Sequence, residues 1–520
     1  MAPHDKIIRQ APLANCAAAF ALGIASAKFF GGLSFAAALF VIAIAAAAHL
    51  SFAKKSPEIA LALAALFFGN FYAAWRIPQT PFPEFTAREA RLEILVKSAS
   101  QNEKGASYGS GKILSASENF KAAEGFDVWF YAKNSEPLFR GEKIKGEFVA
   151  RQAEKNGGFG EYLQSQNIFF NAYTPEKIEV AQASFPYSFY KKARLYIGRK
   201  LSLCSRKAGA SAARAIVLGD KSALAPEEKQ NFRLTGTMHI FAVSGLHVGM
   251  LAGLVYLALR LLRISARAKP FASLPILFLY VNICGAPASA MRAFIMIAAV
   301  WLACAFRRKP KPFAGLVAAF LTTLLINPSC LFDAGFALSY SVVAAIILYA
   351  VPLSEFICKY LDARKGFELK RQNIFKRFCK KARDYAVAGL CIGAAAFFAS
   401  APLCSGFFGY VPLLSALYSV PFVLGATAAL GFGVLAVASP AALAYYFSGA
   451  AAFILEIMLR LANFGASFGI VLNVKITMAA ALLGEFAVLV SLIQYPKIPG
   501  AAKWLLPPSI SALALLCAAI

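Results

Sequence analysis

Long apolar runs alternate with short basic loops along most of the chain, and one polar stretch interrupts them. Three apolar segments lie near 12–28, 33–50 and 58–75. From residue 238 onward the pattern predicts spans near 238–259, 271–285, 287–306, 313–331, 334–352, 385–403, 411–430, 432–448, 450–472, 477–494 and 503–520. A membrane-spanning helix needs about 20 apolar residues, so this is a polytopic α-helical membrane protein. The first segment reads as a span rather than a cleaved leader, because further apolar segments follow at once. Pro275, Gly285-Ala286-Pro287, Pro402, Pro412 and Pro421 predict broken helices, and the spans near 271–285 and 411–448 read as broken or re-entrant. Such helices line paths for polar substrates.

The polar stretch has another period. The runs 91–99, 111–117, 126–133, 142–150 and 176–183 are short, β-type and punctuated by glycines. Five such strands in about a hundred residues suit an OB-like β-barrel. Tyrosines and paired basic residues at 188–232 suit amphipathic, partly interfacial helices. The expected layout is N-terminal transmembrane helices over 1–75, the barrel over 76–187, interfacial helices over 188–234, and a multi-helix channel domain over 235–520.

Composition sharpens this picture. The chain is 59% hydrophobic and 15% charged, against roughly 45–50% and 25% in soluble domains. The net charge of +27 collects in loops, as Lys and Arg do on the cytoplasmic side. Placing the clusters near 6–9, 54–55, 260–269, 307–311 and 359–383 inside puts the N-terminus inside and the barrel outside the membrane. These loops also suit contact with a polyanion. The ten cysteines show no metal or disulfide spacing.

Candidate chemistry concentrates at 235–250, TGTMHIFAVSGLHVGM. Ser244 and Gly245 should weaken or break a helix there. His239 and His247 lie about 80° apart on an ideal helix and suit one water-lined face. Arg292 and Asp333 lie in later apolar segments, as do Glu456 and Glu485. A buried arginine needs a partner or water, and Asp333 or Asp220 could serve. Asp333 equally suits a helix cap. Ser244 and His247 are close enough to touch. However, the sequence lacks the GxSxG elbow, HExxH and a Walker A loop, so it implies no cofactor and no motor. On the barrel, Phe126, Trp129, Tyr131 and Lys133 are candidates for contact with DNA through stacking and charge.

The stretch 218–250, with SGLHVG at its core, resembles the signature of the ComEC family of competence proteins. GAPASAMRAFIM (285–296) and NPSCLFDAGFALSYSVVA (327–344) resemble its next two blocks. GGFGEYLQSQNIF (157–169) is similar to the end of its outer OB-like domain, a Gly-Phe pair before a Tyr-containing turn. The resemblance covers roughly residues 60–430. It implies an inner-membrane channel that passes single-stranded DNA into the cytoplasm in natural transformation. His239, Ser244, Gly245, His247, Asp220, Arg292 and Asp333 would then line the pore or position its helices. The implied partners are single-stranded DNA, membrane lipid, a periplasmic DNA receptor, a separate nuclease and a cytoplasmic motor. Two features depart from the family. The metallo-β-lactamase-like domain of many members is not found, which reads as a short form. Tyr418 stands where the family's asparagine is expected. Two other readings stay open: an intramembrane hydrolase or metalloenzyme using His239, His247 and Ser244, and a small-solute transporter.

Overall fold

A computed structural model describes residues 14–29, 57–77, 87–102, 105–133, 136–153, 158–204, 206–309, 311–364, 374–468, 470–498 and 500–517. The segment near 33–50 and the basic clusters near 6–9 and 54–55 lie outside the described residues.

The polar stretch forms a closed OB-like barrel. Its strands are β1 (Arg88–Gln101), β2 (Ser107–Ala116), β3 (Asp127–Ala132), β4 (Lys143–Gln152) and β5 (Ile168–Thr174). They pair in the order β1-β2-β3-β5-β4, and β4 returns to β1. The β3–β5 pair is parallel and its neighbours are antiparallel. Alternation drives this. Ala90, Leu92, Ile94 and Val96 of β1 point inward with Val128 and Phe130 of β3 and Phe170 of β5.

The closing strand β5 is not among the five runs read from the sequence. The run 176–183 contributes only the three-residue strand Glu179–Ala181 at the edge. Residues 158–165 form a helix, α1 (Gly158–Ser165), where the resemblance implies a turn.

Among the described residues, five helices are long and apolar enough to cross a membrane: Ala288–Ala305, Ala334–Ala363, Phe378–Phe408, Ser415–Ala438 and Ala441–Ser467. Shorter apolar helices include Gly245–Leu261, Ala268–Ile283 and Pro312–Ile326. The three spans expected near 411–430, 432–448 and 450–472 are two helices, Ser415–Ala438 and Ala441–Ser467, parted at Pro440. Gly431, Gly433 and Gly449 do not interrupt them. In a membrane no water competes for the helical hydrogen bonds, so glycine alone is a weak breaker. The helix Lys207–Leu218, expected at an interface, is instead largely buried in the bundle.

Two of the internal prolines are accommodated by side chains from elsewhere. Pro402 leaves the Phe398 carbonyl without its helical donor, and the Ser511 hydroxyl donates to that carbonyl at 2.7 Å. Pro352 leaves the Leu348 carbonyl free, which accepts from the Tyr495 hydroxyl at 2.8 Å. A π-turn at Ile346–Ala350 marks that point. Two close-packed helices, Ala14–Phe29 and Pro57–Arg76, stand beside the bundle. A side chain at Gly23 would lie 1.8 Å from the Leu66 carbonyl oxygen, so only glycine permits this approach.

An ion pair ties the barrel to the helix Tyr187–Leu201. Glu142 is buried, its Oε1 lies 2.6 Å from the Lys191 ammonium, and its Oε2 accepts from the Phe139 backbone N–H.

Candidate functional site

The helix expected over 238–259 begins later, at Gly245. Residues Met238–Phe241 form a single 3-10 turn. Below, α2 denotes Gly245–Leu261, α3 Ala288–Ala305 and α4 Ala334–Ala345. Ser244 has extended backbone (φ −111°, ψ 177°) and caps α2. His247 reaches back one turn. Its Nδ1 accepts from the Ser244 backbone N–H at 3.2 Å and lies 3.0 Å from Ser244 Oγ. This is the returning half of a capping box, with histidine where Glu or Gln usually stands. With Nδ1 so engaged, the neutral ring carries its proton on Nε2. His247 is 1% exposed, and Nε2 has no hydrogen-bond partner among the described residues.

The start of α2 packs on the start of α3. Ser289 Oγ donates to the Val243 carbonyl at 2.7 Å. A Cβ on Gly245 would meet that of Ala293 at an ordinary 3.5 Å. Arg292, 4% exposed, lies between α3 and α4. One Nη donates to the Gly335 carbonyl at 2.8 Å, the guanidinium sits 6.0 Å from the Tyr340 ring, and Nε has no partner among the described residues. No carboxylate among the described residues forms an ion pair with it.

The pairings expected for Arg292 are thus not the ones found. Asp333 caps α4, Oδ1 accepting from the Phe336 N–H at 3.0 Å, while Oδ2 accepts from Gln166 at 2.6 Å. Asp220 pairs with Arg214 at 2.9 Å and accepts from Ser222. Both carboxylates are already engaged, and Arg292 is left with a carbonyl and a ring.

Gln166 belongs to the barrel, in the turn after α1. Its neighbour Asn167 accepts from Ser329 Oγ at 2.6 Å and donates to Asn327 Oδ1 at 3.5 Å. The barrel is therefore bonded to the segment leading into α4, beside Arg292. His239 has its own partner, its ring bonded at 3.0 Å to the Gly236 carbonyl. No hydrogen bond joins it to His247. Among the described residues, no three His, Cys, Asp or Glu side chains are grouped to hold a metal.

On the barrel, Trp129 and Tyr131 alternate outward while Phe130 points into the core. Trp129 stands in a ring cluster that the sequence reading missed. Phe159 lies 5.4 Å and Tyr162 6.3 Å from it, and Tyr108 lies 6.2 Å away. Phe159 and Tyr162 are exposed at 53% and 43%. Their i, i+3 spacing was the signal available in the sequence. Tyr131 stacks on exposed Tyr173 at 5.6 Å. Phe126 packs edge-on against Phe169 and Phe170 beside the core, so it is a wall of the barrel rather than an open platform. Lys133 is exposed.

Residues 216–498 match the family described as "Competence protein". The chain is 31% identical over 193 residues to ComE operon protein 3 of Bacillus subtilis (strain 168), a match spanning 36% of this chain and 24% of that protein. It is 36% identical over 143 residues to Competence protein ComA of Neisseria gonorrhoeae, spanning 26% of this chain and 20% of that protein. The matched stretches thus cover a quarter or less of either relative. No solved structure matches the chain. The family match spans more than half of the chain and takes in His239, Ser244, His247, Arg292 and Asp333, so the chain belongs to the competence-protein family.

Proposed function

We propose that the chain serves DNA uptake in competence, as a channel passing single-stranded DNA across the bacterial inner membrane. The observation that carries this reading is the junction described above. A barrel with exposed rings is bonded to the start of α4, which is linked in turn to Arg292 of α3 and, through Ser289, to the start of α2 that holds His247. Both residues are buried, and each keeps one unpartnered nitrogen. A strand carrying one charge per nucleotide needs a hydrated path with positive potential and no deep trap. A guanidinium without a carboxylate partner supplies such potential, and unpartnered N–H groups can bond to water or phosphate. In this reading the barrel lies outside and the N-terminus inside, following the basic loops. An outer DNA receptor, a separate nuclease and a cytoplasmic motor complete the pathway.

The hydrolase reading is weaker. Ser244 and His247 do touch, but a catalytic histidine is oriented by a third group, and His247 Nε2 has none. The test is transformation by a deletion strain complemented with the chain or with Arg292→Ala. Transformants should fall by at least a hundredfold while DNA still binds to the cells. Normal transformation by the uncomplemented deletion strain would refute the proposal.

A further inference from the structure

A groove of about 350 Å³ runs between α2 and α3, lined by Gly249, Ala252, Gly253, Tyr256, Ile297 and Trp301. Its α2 wall is low because a Cβ on Gly249 or Gly253 would meet nothing within 4 Å. One end is closed by rings, with Tyr256 and Trp301 at 6.3 Å. Over the Tyr256 ring, at 4.8 Å, stands the ammonium of Lys269. Lys269 is 8% exposed, and no hydrogen bond or ion pair of its ammonium is found among the described residues. An ammonium at the end of a largely buried side chain, with only a ring for company, is short of an anion.

The loops at that end are basic. Arg260 stands in the last turn of α2, Arg263 and Arg267 follow that helix, and Arg307 and Arg308 follow α3; all five are exposed. The stretches 254–270 and 297–311 contain no Asp or Glu. An apolar groove, an aromatic pair and an unneutralised cation therefore follow one another along two parallel helices.

We infer that this groove binds a phospholipid with an anionic headgroup, its acyl chain along Gly249 and Gly253 and its phosphate on Lys269. The lining decides against nucleic acid. A strand needs polar groups along its length, whereas here only the end is polar. An acyl chain fits an apolar groove on the flank of a helix pair, and basic pockets between membrane helices hold anionic headgroups. Tyr256 and Trp301 suit the headgroup level, where aromatic rings collect.

The full chain is reconstituted in phosphatidylcholine vesicles containing brominated phosphatidylglycerol or brominated phosphatidylcholine, and tryptophan quenching is measured. The share due to Trp301 is the difference from Trp301→Phe. Brominated phosphatidylglycerol should quench that share at about fivefold lower mole fraction, the preference expected from one basic residue. Lys269→Gln should abolish the preference, Lys269→Arg should restore it, and Gly253→Leu should protect Trp301 from both lipids. Equal quenching by the two lipids, or a preference that survives Lys269→Gln, overturns the inference. So does shielding from both lipids that is relieved only when the protein is diluted in the bilayer, which would mark a second copy. Shielding that appears only with an added single-stranded oligonucleotide also overturns it.

Discussion

His247 has two separable roles, one for each ring nitrogen, and substitution can divide them. Nδ1 holds the start of α2 by accepting from the Ser244 N–H, while Nε2 is the nitrogen left without a partner. His247→Ala strands the Ser244 N–H, at about 1–3 kcal/mol. It also deletes a ring that is 1% exposed, and large-to-small core changes cost about 2–5 kcal/mol. The two costs overlap, because the site partly collapses, so a total of roughly 3 kcal/mol is expected. His247→Gln keeps an acceptor at the third helical position, where glutamine serves the capping box well, and should cost about 1 kcal/mol or less. Ser244→Ala removes the hydroxyl but not the N–H, and should cost about 1 kcal/mol. Chemical denaturation of the detergent-solubilised chain should rank the variants wild type, His247→Gln with Ser244→Ala, then His247→Ala. Transformation separates the second role. If Nε2 serves the moving strand, His247→Gln should transform at least tenfold less well than Ser244→Ala at equal stability. Equal damage to stability from Gln and Ala would show that the cap does not hold the helix start. Wild-type transformation by His247→Gln would remove Nε2 from the path.

Other consequences follow from the same geometry. Gln166→Ala with Asn167→Ala removes three bonds between barrel and core, one of them to a carboxylate. The first should cost about 1.5–3 kcal/mol and each of the others about 1 kcal/mol. Hydrogen exchange should then rise over 158–167 and 328–336 while the barrel strands stay protected; unchanged exchange would mean the contact carries no energy. Lys191→Met strands the buried Glu142 carboxylate and should destabilise by about 3–5 kcal/mol. Adding Glu142→Gln should recover most of that loss in a melting experiment, and a double variant as unstable as the single one would refute the pairing. Phe159→Ala with Tyr162→Ala should weaken crosslinking to a single-stranded oligonucleotide by about tenfold or more, since stacking is worth about 1–3 kcal/mol per base. Barrel stability should change little, because both rings are exposed.

The membrane helices were legible because apolar length is a strong signal. Four barrel strands were legible because alternation at residues such as Leu92, Ile94 and Val96 is another. Strand β5 escaped because Ile168-Phe169-Phe170 reads as an unbroken apolar run beside a glycine-rich block. Its period shows only when Ile168, Phe170 and Ala172 are seen to point inward while Phe169 and Asn171 do not. A helix break was over-read at 431–433, where Gly433 marks close packing instead: a Cβ there would lie 2.9 Å from Val217. The polar candidates stood out because charge is rare in apolar segments. Their partners did not, because those are set by packing. Nothing local to Arg292 foretells the Gly335 carbonyl, or that Asp333 would be held by a glutamine from the barrel.

The four stretches that resemble the ComEC family lie far apart in the chain, and hydrogen bonds link them in series. The stretch 218–250 joins 285–296 through Val243 and Ser289. That stretch joins 327–344 through Arg292 and Gly335. The third joins 157–169 through Asp333 and Gln166. Each link lies at the start of a helix or at the barrel's base. Helix starts are also where a membrane fold can present N–H groups to an anion without breaking a helix. A series of this kind couples its members, because tilting α3 to move Arg292 would strain the bond at Val243 on one side and the Asp333 turn on the other. Barrel and helix starts should therefore shift as one unit. A strand engaging the aromatic ridge around Trp129 would act on Arg292 through Gln166 and Asp333 rather than through the lipid-facing helices.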